Sequence, residues 1–330
     1  MREKPGRVFL GGIFFCVVAA LVSLCFGAAK LSLGELFDAF RQGPTETAGF
    51  IFWYSRLPRT AACLLAGGAL AASGCILQSL LGNKLASPGI IGVNAGAGLG
   101  VAFCLAVGFG SGWAISLASF GGSFLAAVIV MLLARKTGAS RTTVILAGVA
   151  MNSILGAFRD AITTLVPETA LLSGEFRVGG FSSIVSARLI PAGILIVIAM
   201  ILAFTLCNEL DVLALGEETA QSLGLPVKKM RVLFLVLAAL LAGAAVSFAG
   251  LLGFVGLLVP HIARRLVGGE TKQLLPFSIL VGAGFVTICD VMARLLFAPY
   301  ELPVGILLSV IGGPFFLMLL LRGKRGQGHA

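Results

Sequence analysis

The sequence predicts an all-α, polytopic integral membrane protein of about ten transmembrane helices. Three observations carry that reading. First, 58% of the 330 residues are hydrophobic and 12% are charged, where soluble domains carry about 25% charged residues. A soluble protein this apolar would expose far too much greasy surface. Second, the apolar residues gather into runs of spanning length, about 20 residues each. Third, Gly250, Gly253, Gly256 and Pro260 crowd one apolar stretch, Gly250–Thr271. Glycine-dense, broken helices persist at membrane depth only where protein or a water-filled cavity covers the backbone. A simple anchor needs none of this, so the stretch points to a transport pathway.

The expected helices are Val8–Gly27, Thr60–Leu80, Ile90–Gly110, Trp113–Ala134, Thr142–Val166, Leu189–Cys207, Val232–Phe248, Gly253–Val267, Leu275–Phe297 and Val304–Leu321. The first follows Arg2, Lys4 and Arg7, and Phe26-Gly-Ala-Ala29 resembles a signal cleavage site. Its apolar core, about 19 residues, exceeds the 7–15 of a signal peptide, which favours a retained span. Bulky Leu24 before Cys25 disfavours a lipoprotein signal. The eighth run is too short to cross straight. The whole chain, 1–330, forms one transmembrane domain, with a polar segment at about 208–230 between two apolar helices.

Lysine and arginine set the orientation. With the amino terminus inside, cytoplasmic segments hold 16 of the 24 basic residues. The other eight are Lys30, Arg41, Arg56, Arg59, Arg159, Arg177, Arg188 and Arg294. This bias places both termini in the cytoplasm, in agreement with an even helix count. The net charge of +10 is spread over short loops and forms no patch or tail, so nucleic acid is not an expected partner. Seven cysteines, none in a CxxC, and two histidines, His261 and His329, give no metal or disulfide framework. Ala66–Gly74 and Ala242–Gly250 share four of nine residues on helices expected to run oppositely. That is the pattern of an inverted repeat, although small-residue helices also resemble one another by chance.

Three stretches carry a family resemblance. The first comprises Ser55-Arg-Leu-Pro-Arg-Thr60, Gly67–Gly74, Gln78 and Asn83–Gly92. The second is Leu215–Pro226. The third runs from Gly253 to Arg264, then through Asp290, Arg294 and Glu301–Gly305 to Gly312–Phe316. Together they resemble the FecCD family of ABC importer permeases, which carry iron-siderophores, haem and cobalamin. Two departures stand out: Lys84 replaces a proline usual in the family, and Phe176–Gly180 stands where Trp-x-x-Gly-Ser is usual. The resemblance implies a type II ABC importer permease fold and a location in a prokaryotic inner or plasma membrane. The implied partners are membrane lipid, a second permease subunit, two ABC ATPase subunits that bind ATP-Mg, and an extracytoplasmic substrate-binding protein. No cofactor or metal is expected on this chain.

The resemblance assigns roles residue by residue. Leu215, Gly216, Glu217, Glu218, Ala220, Leu223 and Gly224 match the segment that docks on the ATPase. On physical grounds, Glu217 and Glu218 suit the first turn of a short helix, where the dipole favours anions, and Gly224 and Pro226 end it. A solvated loop is the competing reading. Arg56, Arg59 and Arg294 match positions that meet acidic residues on the binding protein; alternatively they snorkel to lipid headgroups. Asn83, Pro88, Gly92, Gly253, Gly256, Pro260, His261 and Asp290 belong to pathway or structural motifs. Asp290 and Arg294 can pair at four-residue spacing. Arg159 and Asp160, deep in the fifth helix, suit either a pathway or a structural charge pair.

No GxxxxGK[ST] is present, and no set of Ser/His/Asp or paired carboxylates shares one pocket. Energy must therefore come from another subunit or from an ion gradient. An ion-coupled carrier using Asp160 and Asp290 is the alternative; a membrane-embedded enzyme is a weaker one, without a visible catalytic set.

Overall fold

A computed structural model describes residues 5–27, 32–44, 46–136 and 141–325. Arg2, Lys4, Lys30 and His329, and the Ala28-Ala29 half of the cleavage-site match, lie outside the described residues. Regular structure among the described residues is helical throughout. In order, the helices are α1 (Pro5–Cys25), α2 (Leu33–Gln42), α3 (Thr47–Ile51), α4 (Leu57–Leu81), α5 (Val93–Ala106), α6 (Gly112–Lys136), α7 (Arg141–Leu165), α8 (Glu168–Val178), α9 (Ser186–Thr205), α10 (Cys207–Ala214), α11 (Glu217–Ser222), α12 (Val227–Ala249), α13 (Val255–Val267), α14 (Thr271–Leu295) and α15 (Val304–Arg325).

Each of the ten expected apolar segments falls on a helix, namely α1, α4, α5, α6, α7, α9, α12, α13, α14 and α15. Among the described residues, seven stretches are long and apolar enough to cross a membrane: Gly6–Cys25, Thr47–Leu81, Gly112–Ala134, Thr142–Leu165, Ser186–Thr205, Val227–Ala249 and Thr271–Leu295. Helix α5 and the Val304–Leu319 part of α15 are shorter apolar helices, and α13 has 13 residues. At 1.5 Å per residue, α13 covers only about 20 Å.

Several boundaries differ from expectation. The second span starts well before Thr60, because α3 runs through a π-helical turn, Phe52–Arg56, directly into α4. Pro58 does not break it: the adjoining π-helical turn is the kind of local adjustment that re-satisfies the backbone groups a proline frees inside a membrane helix. Helix α5 is far shorter than Ile90–Gly110: Pro88–Ile91 forms a 3-10 turn, and Gly92, at φ 85°, resets the chain before α5 begins. Helices α2, α8 and α10 have no counterpart of their own among the ten expected apolar runs.

Helix α4 is the central post. From Ala66 to Leu81 every residue is buried. It packs on α14, α12 and α13. Its small face lets backbones approach closely, the usual basis of helix association in lipid. A Cβ on Gly67 would collide with the Gly282 carbonyl of α14, and one on Gly74 with the Gly256 carbonyl of α13. Helices α5 and α6 meet in the same manner through Gly96 and Gly122.

Candidate functional site: coupling segment, glycine junction and ion cluster

The polar segment after α9 folds into α10 and α11. Gly216 (φ 120°) and Gly224 (φ 81°) bracket α11 in conformations closed to most side chains. Glu217 and Glu218 occupy its first turn, as expected. Besides these two glycines, the other five of the seven residues assigned to ATPase docking separate into two sets. Ala220 is fully buried, and Glu217 pairs with Arg231 of α12 at 3.2 Å, so these two hold α11 down. Glu218 is exposed, and Leu215 and Leu223 are 67% and 63% exposed, so these three point outward.

A second fastening was missed in the sequence. Both carboxylate oxygens of Asp211 in α10 accept the Thr271 backbone N–H at 3.1 Å, and Oδ1 also accepts the Thr271 hydroxyl. Thr271 is fully buried and is the first residue of α14. Asp211 thus supplies a cap, from 60 residues away, that Glu270 at the N-cap position does not. An anion there also complements the helix dipole. Sequence offers only a lone aspartate within a polar segment, so nothing marked the pairing.

Along the second half of α4, two motif segments converge. The Gly250–Phe254 stretch enters α13 through Phe254, which holds a left-handed φ of 65°. Gln78 Nε2 donates to the Gly256 and Leu257 carbonyls at 3.3 and 3.2 Å, and the Gly256 carbonyl lacks its usual intrahelical donor because Pro260 has no N–H. Pro88 abuts Gly256, so the Asn83–Gly92 and Gly253–His261 motifs touch. Asn83 Oδ1 accepts the Leu85 N–H at 2.9 Å, shaping the turn. Asn152 of α7 donates to the Gly89 carbonyl at 2.7 Å. A Cβ on Gly253 would meet nothing within 4 Å. Pro260 is buried within α13, and His261 packs edge-on against Phe315 of α15, centroids 6.0 Å apart.

The end of α14 remote from Thr271 carries an ion cluster. Asp290, 1% exposed, takes Arg59 at 3.0 Å and Arg294 at 3.1 Å, and Arg59 also reaches Glu301 at 2.8 Å. Arg294 donates to Ser23 Oγ at 2.9 Å and to the Phe26 carbonyl at 3.2 Å, and Arg56 donates to the same carbonyl. Ser23 and Thr60 share a hydrogen bond of 2.8 Å. The cluster therefore ties α1, α4 and α14 together. Arg56 and Arg294, assigned above to docking or snorkelling, are 6% and 4% exposed. They are interior cations, because desolvated guanidinium groups are held by carbonyl and carboxylate partners. Arg59 is 12% exposed and reaches the rim through Glu301, itself 38% exposed. A cavity of about 490 Å³ opens beside this pair, lined also by Arg188, Glu175 and Ser116.

Arg159 and Asp160 pair at 2.7 Å on α7, with the Asp160 side chain 66% exposed. Neither Asp160 nor Asp290 is without a cationic partner. The described residues contain no cluster of three or more His, Cys, Asp or Glu able to hold a metal.

Comparison with known proteins matches this architecture to one group. The FecCD transport family matches residues 15–322. The hemin transport system permease protein HmuU of Yersinia pestis is 36% identical over 98% of both chains. The vitamin B12 import system permease protein BtuC of Klebsiella pneumoniae is 35% identical over 99% of this chain and 97% of that one. The ferric enterobactin permease FepG of Escherichia coli is 34% identical over 94% of each. A solved structure described as an inward-facing conformation of a metal-chelate type ABC transporter superposes with a TM-score of 0.86 at 28% identity, covering 97% of this chain and all of that one. The motif segments, the broken α13 and the match along nearly the whole chain lead to one assignment: this multi-pass membrane protein belongs to the FecCD transport family, the permease components of ABC transporters.

Proposed function

We propose that this chain is the permease subunit of an importer that takes up a metal chelate, of the iron-siderophore, haem or cobalamin class, by alternating access. A second permease copy or paralogue completes the pathway. Two separate ATPase subunits dock on the α10–α11 segment, and an extracytoplasmic binding protein delivers the chelate at the ion-cluster end. The α11 end lies in the cytoplasm. The observation that carries the proposal is the coupling segment itself: Leu215, Glu218 and Leu223 face outward while Glu217, Ala220 and Asp211 fasten the segment to α12 and α14. Exposed leucines beside a carboxylate suit an ATPase groove with a positive rim, and the fastenings would pass movement into the helices behind. The family match and the relatives' names support the substrate class. Docking of the binding protein would use Arg59 and Glu301 directly, with Arg56 and Arg294 holding the platform beneath them.

The test is ATPase activity of the chain co-purified with its ATPase subunits in nanodiscs. Binding proteins loaded with hemin, ferric siderophore or cobalamin are added in turn. Stimulation by one of them supports the proposal and names the chelate. Uptake that survives ATP depletion and collapses with an uncoupler would replace it with an ion-coupled carrier.

A further inference from the structure

We propose that α2 and the aromatic start of the α3–α4 helix form an anchor lying in the membrane–water interface, with the lipid surface as its partner. The inference needs only that the chain crosses a membrane, and it stands apart from the transport function.

Helix α2 is amphipathic by position. At 100° per residue, Ala39, Leu36, Phe40 and Phe37 fall on one arc, and Glu35, Asp38 and Arg41 fall on the other. The protein covers only part of the apolar arc. Leu36 and Ala39 are buried against Phe52, with Leu24, Cys25, Ile51, Trp53 and Leu57 around them. Phe37 and Phe40 are each 65% exposed. Two further aromatic rings stand uncovered nearby: Phe50, 52% exposed, stacks on Tyr54, 68% exposed, at 5.9 Å.

The packing sets the depth. Leu24 and Cys25 close the apolar span Gly6–Cys25, whose 20 residues give about 30 Å, the thickness of a hydrocarbon core. A helix packed on that last turn sits at the level where the hydrocarbon ends. The exposed side of α1 is already apolar, with Leu10 and Phe14 67% and 71% exposed. Aromatic rings are favoured at that depth, and a short amphipathic helix there lays its apolar face into the headgroup boundary. The helix is also locked in place. Trp53 Nε1 donates to the Ala39 carbonyl at 3.0 Å, its ring stacks on Phe40 at 6.1 Å, and Ser32 and Glu35 form a reciprocal capping box. A rigid aromatic plate at the end of a span fits a lipid boundary better than open water.

The chain has two tryptophans, Trp53 and Trp113, which makes depth measurable. The full-length chain carrying Trp113→Phe is reconstituted in phosphatidylcholine vesicles brominated either near the carboxyl end or near the methyl end of the acyl chains. The proposal expects most Trp53 emission to be lost with the shallow label, less with the deep label, and little to aqueous iodide. A second variant, Phe37→Trp in a Trp53→Phe/Trp113→Phe background, places the probe on α2 itself and is expected to behave alike. Strong iodide quenching of both probes without bromolipid quenching overturns the proposal. So does iodide quenching that disappears only when a loaded binding protein is added, which would make the plate a protein-docking surface.

Discussion

Removing the Asp211 carboxylate tests how the coupling segment grips the membrane helices. In Asp211→Ala, the Thr271 N–H and hydroxyl lose their acceptor at a fully buried helix start. Losing a cap costs about 1 kcal/mol, with a range of roughly 0.5–2. Losing an anion at the dipole adds about 0.3–1 kcal/mol. These contributions overlap, so the expected loss is roughly 1.5 kcal/mol. Asp211→Asn keeps an oxygen for the same donors and should lose only about the dipole share. Thr271→Val removes the hydroxyl alone, and a double-mutant cycle with Asp211→Ala should show a coupling near 1 kcal/mol. The assays are denaturant unfolding of the purified chain in nanodiscs and limited proteolysis between residues 208 and 226. Under the proposed function, the Ala variant should also keep basal ATPase activity while transport per ATP falls. An Ala variant as stable as the parent, with an equally protected segment, would refute the clamp.

Three further outcomes follow from geometry. Gly74→Ala would drive a Cβ into the Gly256 backbone, whereas Gly253→Ala meets open space. The first should abolish a monodisperse peak in size-exclusion chromatography, and the second should leave it intact, since overpacking costs about 1–3 kcal/mol or more. Asp290→Ala strands two largely buried guanidiniums and should cost about 3–5 kcal/mol; denaturant unfolding reads it, and Glu301→Ala at the exposed rim should cost under about 1 kcal/mol. The hydrogen bonds that Glu35 accepts from the Ser32 backbone and hydroxyl hold its carboxyl below the ordinary glutamate value. A depressed folded value means that the cap's contribution is present above the unfolded pKa and lost as pH falls through the folded one. Trp53 emission in the Trp113→Phe chain should therefore stay flat from pH 7 to 5 and change only below about pH 4.3, and Glu35→Gln should remove that transition.

Where the sequence spoke and where it was silent has a physical pattern. Apolar runs of spanning length marked the membrane helices, because the bilayer sets a length that composition reveals. Helices α2, α8 and α10 are shorter than a span, so that signal passed over them. The short helix at Glu217–Ser222 was legible because acidic residues open it and Gly224 with Pro226 closes it. The Asp290–Arg294 pair was legible as an i, i+4 spacing. By contrast, Arg59 meets Asp290 across 231 residues of chain, and Asp211 meets Thr271 across 60. No local pattern encodes such pairs. Arg56 and Arg294 were placed at one end of their helices by charge and hydropathy, which locate a residue along the membrane normal. They do not say whether it faces lipid, water or a neighbouring helix.

The backbone contact between Gly74 and Gly256 also bears on how the chain is made. The two glycines are 182 residues apart. At about 5–20 residues per second, a ribosome delivers the second roughly 10–40 seconds after the first. Through that interval the glycine face of α4 has no α13 to cover it, and Gln78 waits without the carbonyls it will bond. Biogenesis thus includes a period in which the future centre of the protein faces lipid or the insertion machinery. A ribosome-stalled chain ending before Gly250 would expose that groove to crosslinking, and one extending past Val267 would close it.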